Sequence, residues 1–212
     1  YGSLGMSHHT TEDLAILRSL PNISVVAPCT ANEAGEAITA MIKNGGTGYL
    51  RLDKTSAKDC FSEDPFVIGK SRRYKEGKDI TLIAIGSILG DANTASVELK
   101  KLGIDARVVG MHSIKPIDVD EIIDAATNTG GIVTIEEHNK DGGLGSAISE
   151  VCMDFGVMPN KFLRIGLDNK YSSIVGSQPY LRSRYEMDSK AIINKVKKIF
   201  NSWKGLLLKI KL

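Results

Sequence analysis

Two adjacent imidazoles, His8 and His9, stand among Ser7, Thr10 and Thr11 just before a run with helical period. Unpaired backbone N–H groups and the dipole at a helix start favour an anion, and a phosphate would suit them. The plainer alternative is that these histidines are solvated or cap the turn. Arg51 and Lys54 fall at the end of a short strand pattern over residues 48–52, the edge where ligands gather in open α/β sheets. They read equally well as anion partners of the histidines or as surface cations.

A second cluster, Glu136-Glu137-His138-Asn139, follows a β-branched run and precedes Gly142-Gly143-Leu144-Gly145-Ser146. Carboxylates, an imidazole and a glycine-opened helix start therefore meet at one strand end. A dinucleotide fingerprint would need a third glycine and a place after the first strand, and residues 143–148 offer neither. The glycines are instead assigned to close backbone approach, and the polar cluster to packing against a neighbouring domain or subunit. His112 finds no matching metal ligands, and residues 112–116 read as a turn. Cys152, mid-helix with apolar neighbours, reads as inert core.

The elements that must position these groups follow from periodicity. Leu14, Ile16, Leu17 and Leu20 share one helical face over residues 12–20, with Thr10 and Asp13 at capping-box spacing. Residues 23–27 read as a buried strand, 30–44 as a helix with a Thr cap and an acidic first turn, and 48–52 as a second strand. This order is the back half of a doubly wound sheet. Residues 53–77 are polar, charged and without apolar period, as a connector reads, which places a boundary near residue 65. Beyond it strands at 80–85, 105–111, 131–136 and 161–165 alternate with helices at 88–102, 118–126, 142–155 and 188–200. That alternation predicts one complete three-layer α/β domain. The expected domains are thus residues 1–64 and 65–212. Residues 203–212 mix apolar and Lys side chains and are read as a docked end in preference to a membrane anchor.

Composition narrows the classes further. The 212 residues are 42% hydrophobic and 25% charged, with 21 glycines and 6 prolines, which excludes disorder, collagen and a disulfide scaffold. The 27 basic residues against 25 acidic give +2, too little for a polyanion-attracting field, so no nucleic-acid partner is expected. Three cysteines at spacings that fit no zinc pattern suit reduced thiols in a cytoplasmic compartment. No apolar run approaches the roughly 20 residues of a membrane span.

Ser7-His8-His9-Thr10-Thr11-Glu12-Asp13-Leu14-Ala15, then Leu17-Arg18, Leu20-Pro21-Asn22, Val25-Val26-Ala27-Pro28 and Asn32-Glu33-Ala34, resemble the pyrimidine-domain segment of transketolases and deoxyxylulose-phosphate synthases. Residues 80–86 and 104–108, Lys115-Pro116-Ile117-Asp118 and residues 136–146 resemble the C-terminal domain of the same enzymes. The resemblance implies an α/β fold made of a partial pyrimidine-domain unit followed by a complete transketolase C-terminal domain. It also implies a transferase of carbohydrate metabolism, of the pentose-phosphate type, that moves a two-carbon ketol unit from a ketose phosphate to an aldose phosphate. Thiamine diphosphate, held with magnesium in the complete enzyme, carries the carbanion chemistry there.

Carried over residue by residue, His8 matches the family histidine that contacts substrate phosphate or hydroxyl. His9 matches a second histidine of the synthase-like members, so both stand as expected catalytic residues. Lys54, with Arg51 beside it, falls near the family's phosphate-binding arginine. His8, Arg51 and Lys54 are therefore the expected substrate-binding set. Leu4 replaces an acidic residue common in the family, and Met6 replaces a proline. The strands bearing the cofactor's glutamate, and the diphosphate-binding domain with its metal motif, do not occur in these 212 residues. The expectation is a C-terminal portion that is inactive alone and binds neither cofactor nor metal by itself. Its expected partners are an N-terminal diphosphate-binding domain or subunit and a second copy in a homodimer. Two other readings stand beside this one: the tail of a 2-oxo acid dehydrogenase β-chain, and a non-catalytic dimerisation module.

Overall fold

A computed structural model describes residues 2–58 and 60–210, with side chains described as far as residue 200. After two single-turn 3-10 segments come helix α1 (Asp13–Ser19), strand β1 (Ile23–Val26), helix α2 (Ala31–Asn44) and strand β2 (Thr47–Leu50). Helix α2 forms where its caps dictate. The Thr30 hydroxyl accepts from the Glu33 N–H at 3.2 Å, and Gly45, at φ 64°, closes the last turn with its N–H on the Met41 carbonyl. The capping box expected at α1 does not form. Glu12 is the N-cap and makes no side-chain cap bond, so Thr10 lies outside the helix, and the Asp13 carboxylate accepts the Tyr49 hydroxyl at 2.8 Å.

Strands β1 and β2 are parallel, and the chain then enters what reads in sequence as a connector. That reading is corrected at residues 72–75, which form strand β3 (Arg72–Lys75). Its side chains are charged because their partners are acidic: Arg72 meets Glu33 and Glu36 of α2, while Arg73 reaches Glu121 and Asp124 at 2.6 Å each. Apolar periodicity cannot register such a strand. It pairs antiparallel with residues 108–110 at the sheet edge.

The larger sheet continues through β4 (Ile80–Ile85), α3 (Leu89–Lys101) and β5 (Ala106–Gly110). After β6 (Ser113–Lys115) come α4 (Val119–Asn128), β7 (Ile132–Asn139), α5 (Leu144–Asp154), β8 (Phe162–Leu167), α6 (Gln178–Arg184) and α7 (Ser189–Ile210). Its strand order is β3-β5-β4-β7-β8, and all neighbours except β3 run parallel. Side chains alternate between two cores. Ile80, Leu82, Ala84, Val108, Val133 and Ile135 face α3 and α7. Ile83, Ile85, Val109 and Ile132 face α4 and α5. This is the expected three-layer α/β arrangement.

The two units share more than a linker. Leu14 and Val25 lie in the same core as Ile122 of α4 and Leu144 of α5. The expected turn at 112–116 is corrected as well, because β6 pairs antiparallel with β1 and makes a three-stranded sheet of order β2-β1-β6. Lys115 closes that edge by donating from Nζ to the Arg18 carbonyl at 2.8 Å and to that of Leu20. Residues 203–210 continue α7, and the expected docking of 203–212 concerns side chains outside the described residues. Among the described residues no helix is long and apolar enough to cross a membrane.

Candidate functional site

The histidine segment is held from three sides. The Asn139 amide donates to the Thr11 carbonyl at 2.8 Å, and the Gly176 amide to that of Gly2 at 2.9 Å. Arg51 Nη2 donates both to the Thr10 carbonyl at 3.0 Å and to the Glu137 carbonyl at 2.8 Å, while its Nε lies 3.5 Å from Asp13 Oδ2. Arg51 therefore clamps the segment between β2 and β7, with its guanidinium on carbonyls and a carboxylate inside the fold. On this frame His8 is exposed, with Nδ1 3.0 Å from the Ser7 hydroxyl. His9 is half-buried, and its Nε2 is shielded from solvent without a hydrogen-bond partner. Lys54 is exposed in the loop after β2.

Beneath the segment lies the second cluster, packed against α1. His138 is fully buried, and its Nε2 accepts the Ala15 N–H at 3.4 Å while Nδ1 lies 2.6 Å from the Asn139 carbonyl. Those two bonds assign the proton to Nδ1 and make the ring neutral. Burial also pushes its pKa down. Glu136, likewise buried, accepts from the Leu144 N–H at 2.7 Å and the Gly145 N–H at 2.9 Å, so it caps α5. Burial pushes its carboxyl up to about 7 against the pull of those amides. The glycines here serve close approach, as expected: a Cβ on Gly143 would lie 2.0 Å from Glu136 Oε2 and 2.7 Å from His138 Nδ1. Gly143→Ala should therefore displace that carboxylate and cost about 1–3 kcal/mol, read as a lower urea midpoint at unchanged m-value.

A third set is not legible in sequence. Successive connections leave β4 and β7 toward opposite sides of the sheet, which makes their carboxyl ends a topological switch point. Arg182 of α6 fills it, donating to Glu137 through Nε at 2.9 Å and Nη2 at 2.7 Å, to Asp91 at 2.9 Å and to the Ser87 hydroxyl at 2.8 Å. Gln178 Nε2 reaches Glu137 at 2.9 Å, and Asp53 Oδ2 accepts the Ser87 N–H at 2.7 Å. The turn at Gly86, at φ 75°, brings the chain so near Asp53 that a Cβ would stand 2.9 Å from its Oδ2. The available signal is Ser177, whose hydroxyl accepts the Tyr180 N–H, followed by Pro179 in the first turn of α6. The network ties residues 51–55 of the first unit to the larger sheet.

Comparison with known proteins places both parts. Residues 69–192 match the family description "Transketolase, C-terminal domain" and residues 1–58 match "Transketolase, pyrimidine binding domain". The chain is 34% identical over 91% of its length to one subunit of the apulose-4-phosphate transketolase of Phocaeicola vulgatus, covering 61% of that protein. It is 35% identical over 92% of its length to 1-deoxy-D-xylulose-5-phosphate synthase 1 of Geobacter metallireducens, covering 32% of it. Among solved structures, a split gene transketolase described as an inactive beta4 tetramer superposes with a TM-score of 0.77 at 35% identity, over 91% of this chain and 62% of that one. The chain thus spans about three-fifths of the length of the Phocaeicola vulgatus relative it matches.

Proposed function

Because this chain belongs to the transketolase family, we propose that it is the pyrimidine-plus-C-terminal portion of a thiamine-diphosphate enzyme that transfers a two-carbon ketol unit between sugar phosphates. The diphosphate-binding half comes from another domain or subunit, and catalysis needs both. The observation that supports this reading most is the clamp of Arg51 on the Thr10 and Glu137 carbonyls, which holds His8 and His9 in one wall. His8, exposed on that wall, donates to a phosphate or hydroxyl oxygen of the sugar. His9 stands behind it with an unpartnered Nε2 available to a second sugar oxygen. Lys54 adds a cation at the carboxyl edge of β2, and Arg51 positions the segment rather than gripping substrate. The active unit is a dimer in the cytoplasm.

Thiamine diphosphate supplies the carbanion chemistry when bound in the complete enzyme. Among the described residues no three His, Cys, Asp or Glu side chains gather as a metal set, and the metal–diphosphate end is assigned to the partner half.

The test is reconstitution. This chain and a diphosphate-domain partner, each without turnover alone, should together convert ketose phosphate and aldose phosphate in a coupled assay. Turnover by the single chain, or conversion of pyruvate or a branched-chain oxo acid by the pair, would contradict the assignment.

A further inference from the structure

A cleft of about 240 Å³ opens at the carboxyl end of β8, between that strand, α6 and the start of α7. Five cations line it: Lys140, Arg164, Lys170, Arg184 and Lys195. Only two carboxylates face them, and both are engaged. Asp168 holds Lys140 at 2.5 Å and Glu186 holds Lys195 at 3.3 Å. Among the described residues neither Lys170 nor Arg184 is in an ion pair. Arg164 is fixed in place, because its Nη1 donates to the Lys140 carbonyl at 3.0 Å and to the Ser146 hydroxyl at 3.3 Å. Gly145 leaves room for its stem, since a Cβ there would stand 2.6 Å from Arg164 Cδ.

From this geometry we infer that the cleft is a second anion site, built for the phosphate of a small phosphorylated molecule and separate from the histidine wall. An ordered guanidinium with remaining N–H groups, flanked by two unpaired cations, gives directional and long-range attraction together. The field is already visible on Asp168, whose carboxyl is held below its usual range by the bond from Lys140 and by the charges of Lys140, Lys170 and Lys195. The volume admits one phosphate with a few attached atoms, which points to inorganic phosphate or a short phosphomonoester.

The experiment uses full-length protein carrying His8→Ala, so that the proposed substrate wall is disabled and the failure of one site is distinguishable from that of the other. Inorganic phosphate is titrated at low salt and followed by calorimetry and by the phosphorus-31 line width. Saturation at one equivalent per chain is expected. Adding Lys170→Gln and Arg184→Gln, both at exposed positions, should weaken binding about tenfold or more, and salt should weaken it further. Glycerol phosphate in a parallel arm decides the source: tighter binding than phosphate supports a phosphomonoester, and equal binding supports the free ion. Absence of saturation in the first titration, which needs no cleft variant, would overturn the inference. So would unchanged affinity in the folded triple variant.

Discussion

Replacing His8 by alanine in the complete enzyme is expected to raise the KM for ketose phosphate by about 10–100-fold while leaving thiamine-diphosphate affinity where it was. The imidazole is exposed, with Nδ1 3.0 Å from the neighbouring Ser7 hydroxyl, so the substitution removes a ligand contact without opening a core. Stability should accordingly stay within about 0.5 kcal/mol of the parent, as surface substitutions do. A charge-assisted bond to a phosphate is the kind of contact whose loss reaches that size. Steady-state kinetics with the donor sugar varied, alongside a cofactor titration, separates the two effects. Unchanged sugar kinetics would remove His8 from the site.

The largest expected loss of stability lies in the joint between α2 and β3. Arg72 is 4% exposed and Glu33 0%. The guanidinium lies 3.5 Å from Glu33 through Nη1, binds Glu36 at 2.8 and 3.1 Å, donates to the Asp64 carbonyl and lies over the Phe66 ring. Glu33 also accepts the Tyr74 hydroxyl at 2.6 Å and the Cys29 N–H at 2.7 Å. Arg72→Met leaves the Glu33 carboxylate buried with those two neutral donors and the His112 ring, whose Nδ1 lies 3.6 Å away, and removing one partner of a buried pair costs about 3–5 kcal/mol. Denaturant unfolding should show that loss, and Arg72→Met combined with Glu33→Gln should recover a measurable part of it. Recovery of nothing would mean that Arg72 acts through packing alone.

How much of this is legible in the residues alone follows from what each element buries. Strand β4, with every residue from Ile80 to Ile85 buried, and helix α2, with its Thr30 and Gly45 caps, carry their signals in apolar pattern and cap chemistry. Strands β3 and β6 carry neither. Arg72 and Arg73 are held by carboxylates distant in sequence, and β6 is three residues whose place is set by the register of Val26 with Ser113 and Val25 with Lys115. Tertiary partners define both, and a local window cannot see them. The same holds at the site. The paired histidines announce themselves, but Arg51 as the clamp on Thr10 and Glu137, and Arg182 at the switch point, depend on contacts 86 and 45 residues apart along the chain. Gly143 is readable as a close approach because its physical reason is near in sequence: a Cβ there would meet Glu136, His138 and the Asn139 carbonyl.

The chain's four histidines offer the most direct test. His112 and His138 are fully buried, His8 is exposed and His9 half-buried. Imidazole resonances followed by nuclear magnetic resonance, while ketose phosphate is titrated into the assembled enzyme, should show saturable shifts of His8 and His9 with His112 and His138 unmoved. Resonances of His8 and His9 that stay fixed at saturating sugar phosphate would contradict the account.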